Sequence, residues 1–302
     1  MSNIETWILE IIKENGPLTG SELIPHFDMD PLLLLRECRL SKSLAVRIIG
    51  SRYLRLDRRI ENFARLSPSI LREFLTYSVV GLADDPVPLI KKADELIKKI
   101  ERISRSKCDL AFNIVSSLMT RLEYGSKEKA CFIIAGDIVF NMAHDVPRPE
   151  RSTGKMVQGS DMDIVVIVRD EDAEHLVARL DEEIFKEKSS LLLSPYCREE
   201  IDYIVKNVSR VKEQLKFDTF KHMVACKILC EGTFLFGNEE LFNSIKKMLM
   251  DEGISDKIQA MEEKALQFRK RAEERLLGGD PQKVLHDNEY LFYPTEESEE
   301  FE

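Results

Sequence analysis

Two aspartates stand directly before a continuous apolar run in this 302-residue chain. The segment Gly159-Ser160-Asp161-Met162-Asp163 leads into five aliphatic residues at 164–168. A short apolar run of this length, rich in β-branched residues, is typical of a buried strand. Side chains alternate across a strand, so Asp161 and Asp163 are predicted to lie on the same face, about 7 Å apart.

Two carboxylates held on one face repel each other, and a divalent cation between them offsets that repulsion. Mg²⁺ typically takes one or two carboxylates together with substrate phosphates, so this pair is a candidate metal site. The alternative interpretation is that Asp161 and Asp163 are polar residues left outside the sheet at the entry of a strand. The residues alone leave both interpretations open.

The pattern around this segment predicts an α+β fold. Three strands are predicted, at 130–135, 163–168 and 200–205. Helices are predicted at 89–124, 173–188, 208–215, 218–230, 239–250 and 255–277. Strands mixed with helices, followed by helices alone, favour a small mixed β-sheet with a helical C-terminal part.

The first 60 residues predict three helices followed by a hairpin. Asp30-Pro31 opens the third helix, and residues 44–49 and 52–56 flank Gly50-Ser51, a good two-residue hairpin turn. This is the outline of a winged helix-turn-helix domain. A further apolar helix is expected at 70–80.

Basic residues are concentrated in this part of the chain. Between positions 36 and 59 there are eight Arg or Lys and two acidic residues, within a chain of net charge −10. Such a patch is the electrostatic footprint expected of a phosphate-binding surface, and it predicts contacts with RNA or DNA. The open alternatives are a solvated hairpin or a basic face that docks on the acidic remainder. The candidate residues are Arg36, Arg39, Arg47, Arg52 and Arg55.

Composition shifts predict four segments. They are a winged helix-turn-helix-like domain at 1–84, a core at 85–252, a C-terminal helix at 253–279 and a mobile acidic tail at 280–302. No apolar run approaches the roughly 20 residues that span a bilayer, and the start lacks the features of a signal peptide. A cytoplasmic protein with no membrane partner is therefore expected, with its six cysteines as buried, reduced thiols.

The sequence also resembles the DNA polymerase beta-type nucleotidyltransferases. The resemblance is carried by Ile133-Ile-Ala-Gly136 and by Gly-Ser-Asp-x-Asp followed by aliphatic residues, and it covers roughly 89–250. It implies transfer of a nucleoside monophosphate from an NTP to a hydroxyl, with release of pyrophosphate and with Mg²⁺ or Mn²⁺ as cofactor. The acceptor is RNA or tRNA, a protein or a small molecule, and the N-terminal winged helix-turn-helix outline favours RNA or tRNA.

The resemblance also implies roles for individual residues. Asp161 and Asp163 would bind metal, and Asp202 in the third strand would complete a second metal position and help to deprotonate the acceptor. Asp202 is alternatively a strand-edge aspartate. In this family the turn after the first strand opens a helix whose N-terminus holds the triphosphate. The implied nucleotide-binding residues are Gly136, Asp137, Ser160, Lys155 and Lys227.

Two features depart from the family pattern. Asp137 stands where Ser or Gly is usual, and an aspartate facing a triphosphate is electrostatically unfavourable unless it turns away or helps to hold metal. Asp161 follows Gly136 by 25 positions, a longer gap than in many members. The extra segment carries Arg148, Arg151 and Lys155, and is interpreted as a basic flap over the triphosphate or as a surface loop.

A second function class remains open. The chain is alternatively a DNA-binding regulator or toxin–antitoxin component whose nucleotidyltransferase-like domain only senses a nucleotide. Asp137 favours this hypothesis, whereas the three aspartates at 161, 163 and 202 favour an enzyme.

Overall fold

The computed structural model describes residues 3–122, 126–150, 153–194 and 197–279. The helices are α1 (Asn3–Asn15), α2 (Gly20–Leu23), α3 (Pro31–Leu40), α4 (Ile70–Tyr77), α5 (Pro86–Arg121), α6 (Ser126–Lys129), α7 (Ala173–Leu193), α8 (Val208–Gln214), α9 (Phe220–Glu231), α10 (Glu239–Asp251) and α11 (Ile254–Gly278). The strands are β1 (Leu18–Thr19), β2 (Leu44–Ile48), β3 (Tyr53–Leu56), β4 (Ala64–Ser67), β5 (Ser78–Leu82), β6 (Ala130–Ala135), β7 (Pro147–Pro149), β8 (Met156–Gln158), β9 (Met162–Val168), β10 (Ile201–Asn207) and β11 (Thr233–Gly237).

The chain forms two compact units. The first joins Met1–Lys99 to the described residues from Met261 onward, and the second is Ile100–Ala260. Helices α5 and α11 each contribute residues to both units, so the divisions fall inside helices. The linker predicted near residue 84 instead precedes α5, and the acidic tail predicted at 280–302 lies outside the described residues.

Helix starts follow local capping chemistry. Thr19 and Glu22 form a capping box at α2, and the Asp30 side chain accepts a hydrogen bond from Leu32 N ahead of Pro31 in α3. Asn207 caps α8 in the same way through Arg210 N. These short side chains satisfy backbone N–H groups that have no partner within the helix.

The first unit contains a three-stranded antiparallel sheet in the order β1–β5–β2 and a separate pair, β3–β4. The predicted hairpin around Gly50-Ser51 is therefore wrong, because β2 and β3 belong to different sheets. Val46 is the register partner of Val80, and Tyr53 is the register partner of Ser67. The helix expected at 70–80 also ends early, at Tyr77, where β5 begins.

The physical reason lies in β5. Val79 and Val80 are fully buried between β1 and β2, and β-branched residues pack well on the pleated surface of a central strand. β2 therefore pairs with β5, which is farther along the chain and more apolar, and does not pair with its neighbour β3. The short turn at Gly50-Ser51 connects two sheets.

Helix α11 completes the core of the first unit. Ala272 and Leu276 are buried among apolar residues of α1, α3 and α4, including Ile8, Leu34 and Phe74. The sequence predicts a C-terminal helix at 253–279, and α11 spans Ile254–Gly278. What the periodicity does not reveal is that the end of this helix packs on the first 80 residues.

The second unit is built on a mixed sheet in the order β10–β9–β6–β11. Strands β9 and β10 are parallel, and the other two pairs are antiparallel. The α+β class and the small mixed β-sheet are therefore confirmed. Strand β11 was not predicted from the sequence.

Helices α5 and α7 pack on this sheet through buried apolar residues such as Val115, Leu118 and Leu180.

In the part of the chain that the structure describes, no helix is long and apolar enough to cross a bilayer. All six cysteines are free, and burial raises the pKa of Cys131 and Cys226 to about 12, which keeps both as thiols.

Candidate metal centre

Asp161, Asp163 and Asp202 come together where β9 and β10 begin. One carboxylate oxygen from each aspartate lies within 4.8 Å of the others, and all three side chains are partly exposed. The three residues that the sequence nominated as metal ligands thus form one cluster. Asp161 and Asp202 are 41 positions apart in the chain, and the pairing of β9 with β10 brings them together.

The parallel register of β9 and β10 positions this cluster. Asp163 is the register partner of Asp202, and Met162 is the register partner of Ile201. Met162 and Ile201 are fully buried on the opposite face of the sheet, which sends their neighbours to the cluster face. A slip of one residue would reverse both faces, so the apolar core fixes the geometry of the carboxylates.

The turn after β6 closes one side of the cluster. Gly136 has a φ of +70°, and a Cβ built on it would lie 1.9 Å from Asp163 Oδ2. Only glycine fits this position, because any other side chain meets both a left-handed backbone and the carboxylate. The helix implied after this turn is wrong, since the described chain there forms only a 3₁₀ turn, Gly136–Ile138.

A fourth carboxylate, Glu200, was not predicted. It precedes β10, is 7% exposed, and its carbonyl accepts a hydrogen bond from Met162 N, so it lies beside Asp161. Burial raises the pKa of Glu200, the charge of Asp161 raises it further, and Arg148 and Lys188 act in the opposite direction. The signal was available in the sequence, because Glu200 and Asp202 repeat the spacing of Asp161 and Asp163.

Among the described residues, Arg148 and Lys188 contact these carboxylates. Arg148 Nη2 lies 2.9 Å from Glu200 Oε2 and 3.3 Å from Asp161 Oδ2, while its Nε donates to Gly159 O at 2.8 Å. Lys188 Nζ lies 3.8 Å from Asp202 Oδ1 and 4.0 Å from Glu200 Oε1. Lys188 was not predicted, since its place on α7 gives no sign that it faces this cluster.

The gap between Gly136 and Asp161 contains a small antiparallel hairpin, β7–β8. Arg148 lies on β7 and reaches the cluster, whereas Lys155 lies in the turn of the hairpin with an exposed side chain. Arg151 lies outside the described residues. Of the two described basic residues assigned to a flap, Arg148 is the one that contacts the aspartates.

The other predicted nucleotide-binding residues form local contacts. Ser160 Oγ donates to Asp137 Oδ2 at 2.6 Å, so the Asp137 carboxylate is turned onto Ser160. Gly136 N donates to Glu231 Oε1 at 3.3 Å, and Lys227, which is 3% exposed, pairs with Glu231 at 3.0 Å. Lys227 is thus a buried ion-pair partner of Glu231 on α9.

The basic residues of the first unit are largely engaged within that unit. Arg36 Nε donates to Leu276 O at 3.1 Å, near the end of α11. Arg52 pairs with Glu73 at 2.6 Å and with Glu273 at 2.9 Å.

Arg39 lies 3.8 Å from each of the same two glutamates. Arg55 is half-buried in β3, and Arg47 is exposed on β2. Binding of nucleic acid through the five arginines stays a prediction, and Arg47 is the one whose side chain is most open to it.

The donor set of the cluster fits a hard divalent cation. Carboxylate oxygens are the ligands that Mg²⁺ and Mn²⁺ prefer, and partial exposure leaves room for water and phosphate oxygens. Oxygens bound to one Mg²⁺ at about 2.1 Å lie no more than about 4.2 Å apart. A small closure of the 4.8 Å cluster is therefore enough to bring all three aspartates onto one ion.

Comparison with protein families, curated proteins and solved structures finds no match to this chain.

Proposed function

We propose that this chain is a metal-dependent nucleotidyltransferase, which moves a nucleoside monophosphate from an NTP to a hydroxyl and releases pyrophosphate. The observation that carries the proposal is the cluster of Asp161, Asp163 and Asp202, held by the register of two parallel strands. Its resemblance to the DNA polymerase beta type adds support, because the same three positions are acidic in the order that the family uses.

The roles of the residues follow from their positions. Asp161 and Asp163 would hold Mg²⁺ or Mn²⁺ on the nucleotide side, and Asp202, on the adjacent strand, would face the acceptor. When bound, the divalent cation would neutralise phosphate charge and would lower the pKa of a coordinated hydroxyl. The acceptor oxygen then forms a bond to the α-phosphorus as the bond to pyrophosphate breaks, and the hydroxyl proton passes to Asp202 or to water.

Arg148 is the described cation best placed to meet the phosphates. It already lies beside Asp161 and is anchored by its bond to Gly159 O, so little reorientation is needed. The turn at Gly136 is a weaker candidate than the resemblance implied, because its N–H donates to Glu231. Triphosphate binding at this turn requires Glu231 to move.

RNA or tRNA remains the favoured acceptor, through a winged helix-turn-helix-like first unit. The support is the order of three helices and the β1–β5–β2 sheet, together with the exposed Arg47. The ion pairs of Arg39 and Arg52 with Glu73 and Glu273 weaken it. A protein or a small-molecule acceptor would need none of these arginines.

Incubation with labelled NTPs and Mg²⁺, with and without total RNA, tests the proposal. Native protein should transfer label to one acceptor class, and Asp161→Asn should abolish transfer while leaving circular dichroism unchanged. Asp251→Asn, an exposed aspartate at the end of α10, is the matched control and should keep full activity.

A nucleotide sensor is the second candidate, motivated by the acidic Asp137 in the turn after β6, whose charge opposes a triphosphate although its carboxylate accepts a hydrogen bond from Ser160. Native protein that binds an NTP tightly yet transfers no label to any acceptor would identify the sensor. It would overturn the transferase.

A further inference from the structure

Four carboxylates line the cluster face in two rows. Asp161 lies beside Glu200 in the first row, and Asp163 lies beside Asp202 in the second, because β9 and β10 are parallel and in register. The two residues of each strand are two positions apart, so all four side chains belong to one face. Fully ionised, these rows carry four negative charges.

Among the described residues, Arg148 and Lys188 offset part of this charge. Arg148 contacts both carboxylates of the first row, at 3.3 Å and 2.9 Å. Lys188 contacts the β10 carboxylate of each row, at 4.0 Å and 3.8 Å.

The position of Lys188 indicates which of the two ions of a two-metal centre its charge would replace. In two-metal enzymes the ions lie about 3.5–4 Å apart and share carboxylates, so each carries charge close to the other's ligands. Lys188 Nζ lies 3.8 Å from Asp202, the aspartate assigned to the acceptor side. An ammonium at this distance stabilises the Asp202 carboxylate and repels a second divalent cation.

We infer that Lys188 supplies, beside Asp202, the positive charge that a second divalent cation supplies in two-metal enzymes. The aspartate cluster therefore takes a single divalent cation. This inference rests on the metal centre of the proposed function, and it makes Lys188 a positioning residue that sets how many ions the centre holds.

Calorimetric titration of the full chain with Mn²⁺ alone tests the inference without an assay of activity. The native chain should bind one ion at the cluster. Lys188→Met, which removes the charge and keeps the length, should bind two, with the first at least about tenfold tighter, since a like charge at this range changes ionic equilibria by about tenfold or more. Lys188→Arg should stay at one ion.

The controls separate the possible failures. Lys186→Met removes a lysine of the same helix that pairs with Glu182 and Glu183 at the surface, and it should bind one ion like the native chain. If circular dichroism shows that Lys188→Met folds poorly, Lys188→Gln serves as a second neutral variant and should likewise bind two ions.

Two Mn²⁺ ions on the native chain, or one on a folded neutral variant, would overturn the role of Lys188 and leave the metal centre in place. No Mn²⁺ on the native chain, or binding that Asp163→Asn leaves unchanged, would instead overturn the centre and the proposed function with it.

Discussion

Gly136 and Asp163 are packed so closely that the glycine has no room for a side chain. Its Cβ would stand 1.9 Å from Asp163 Oδ2. The residue that follows β6 therefore sets the position of a carboxylate on β9, and the two strands are joined by antiparallel pairing. The cluster is shaped by backbone geometry as well as by charge.

Gly136→Ala should therefore displace the Asp163 carboxylate and weaken Mn²⁺ binding by at least about tenfold. Gly154→Ala is a matched control, because Gly154 also has a positive φ, +67°, but nothing lies within 4 Å of its Cβ position. Both variants should lose about 1–3 kcal/mol of stability to backbone strain, measured by urea unfolding. Only Gly136→Ala should lose metal affinity, and equal metal affinities would contradict the packing argument.

Asp202→Ala should lower turnover far more than NTP affinity. In the proposed transferase Asp202 would face the acceptor, so its loss would act on deprotonation of the acceptor hydroxyl, a contribution of about 10²–10⁴ in rate. Single-turnover transfer rates and equilibrium NTP binding, measured on the same preparations, separate the two effects. A loss confined to NTP binding would remove Asp202 from the acceptor side.

Arg52→Ala should destabilise the first unit by about 1–3 kcal/mol, because the Glu73 carboxylate, 2% exposed, loses one of its charged partners. Arg269, at 2.9 Å from Glu73, remains to hold it and limits the loss. Arg47→Ala, at an exposed position, should change stability by no more than about 0.5 kcal/mol. Chemical denaturation of both variants beside the native chain gives the comparison.

The same variants decide whether the basic surface binds nucleic acid. Each phosphate contact adds nearly one unit to the slope of log affinity against log salt. Arg47→Ala should flatten that slope by about one unit for unrelated sequences, and Arg52→Ala should flatten it less, since Arg52 is engaged by two glutamates. Unchanged slopes in Arg47→Ala, Arg52→Ala and Arg55→Ala would show that these arginines make no phosphate contacts.

Lys206 should make stability rise between pH 8 and pH 10.5. Burial lowers the pKa of Lys206 to about 8, and its Nζ donates to Gln214 Oε1 at 2.7 Å. Above pH 8 the folded chain releases this proton while the unfolded chain keeps it, so the unfolded state binds more protons and stability increases with pH. The full gain is about 3 kcal/mol, because a tenfold change in a proton-binding equilibrium corresponds to about 1.36 kcal/mol.

Lys206→Met should remove that rise and should be more stable than the native chain at pH 7. The difference in unfolding free energy between the two proteins, followed from pH 7 to pH 10.5, isolates Lys206 from other titrating groups. A constant difference across this range would show that Lys206 titrates normally.

Much of the secondary structure of the second unit could be predicted from local sequence patterns. The apolar runs in 130–135 and 163–168 predicted strands that the structure confirms as β6 and β9, because buried strands are rich in consecutive apolar residues. The segment 200–205, rich in Ile, Val and Tyr, predicted the strand that the structure confirms as β10. The alternation of Asp161 and Asp163 ahead of β9 likewise predicted one shared face. These conclusions depend only on neighbours in the chain, which the sequence displays directly.

Pairing between distant segments was decided by the tertiary structure. β2 pairs with β5 and not with β3, and α11 fills the core of the first unit, because burial of Val79, Val80 and Leu276 outweighs local turn preference. Lys188 reached the carboxylates only through the packing of α7 on β10. The residue types of the candidate site could be predicted from the sequence, whereas its counter-charges were set by which surfaces the folded chain brings together.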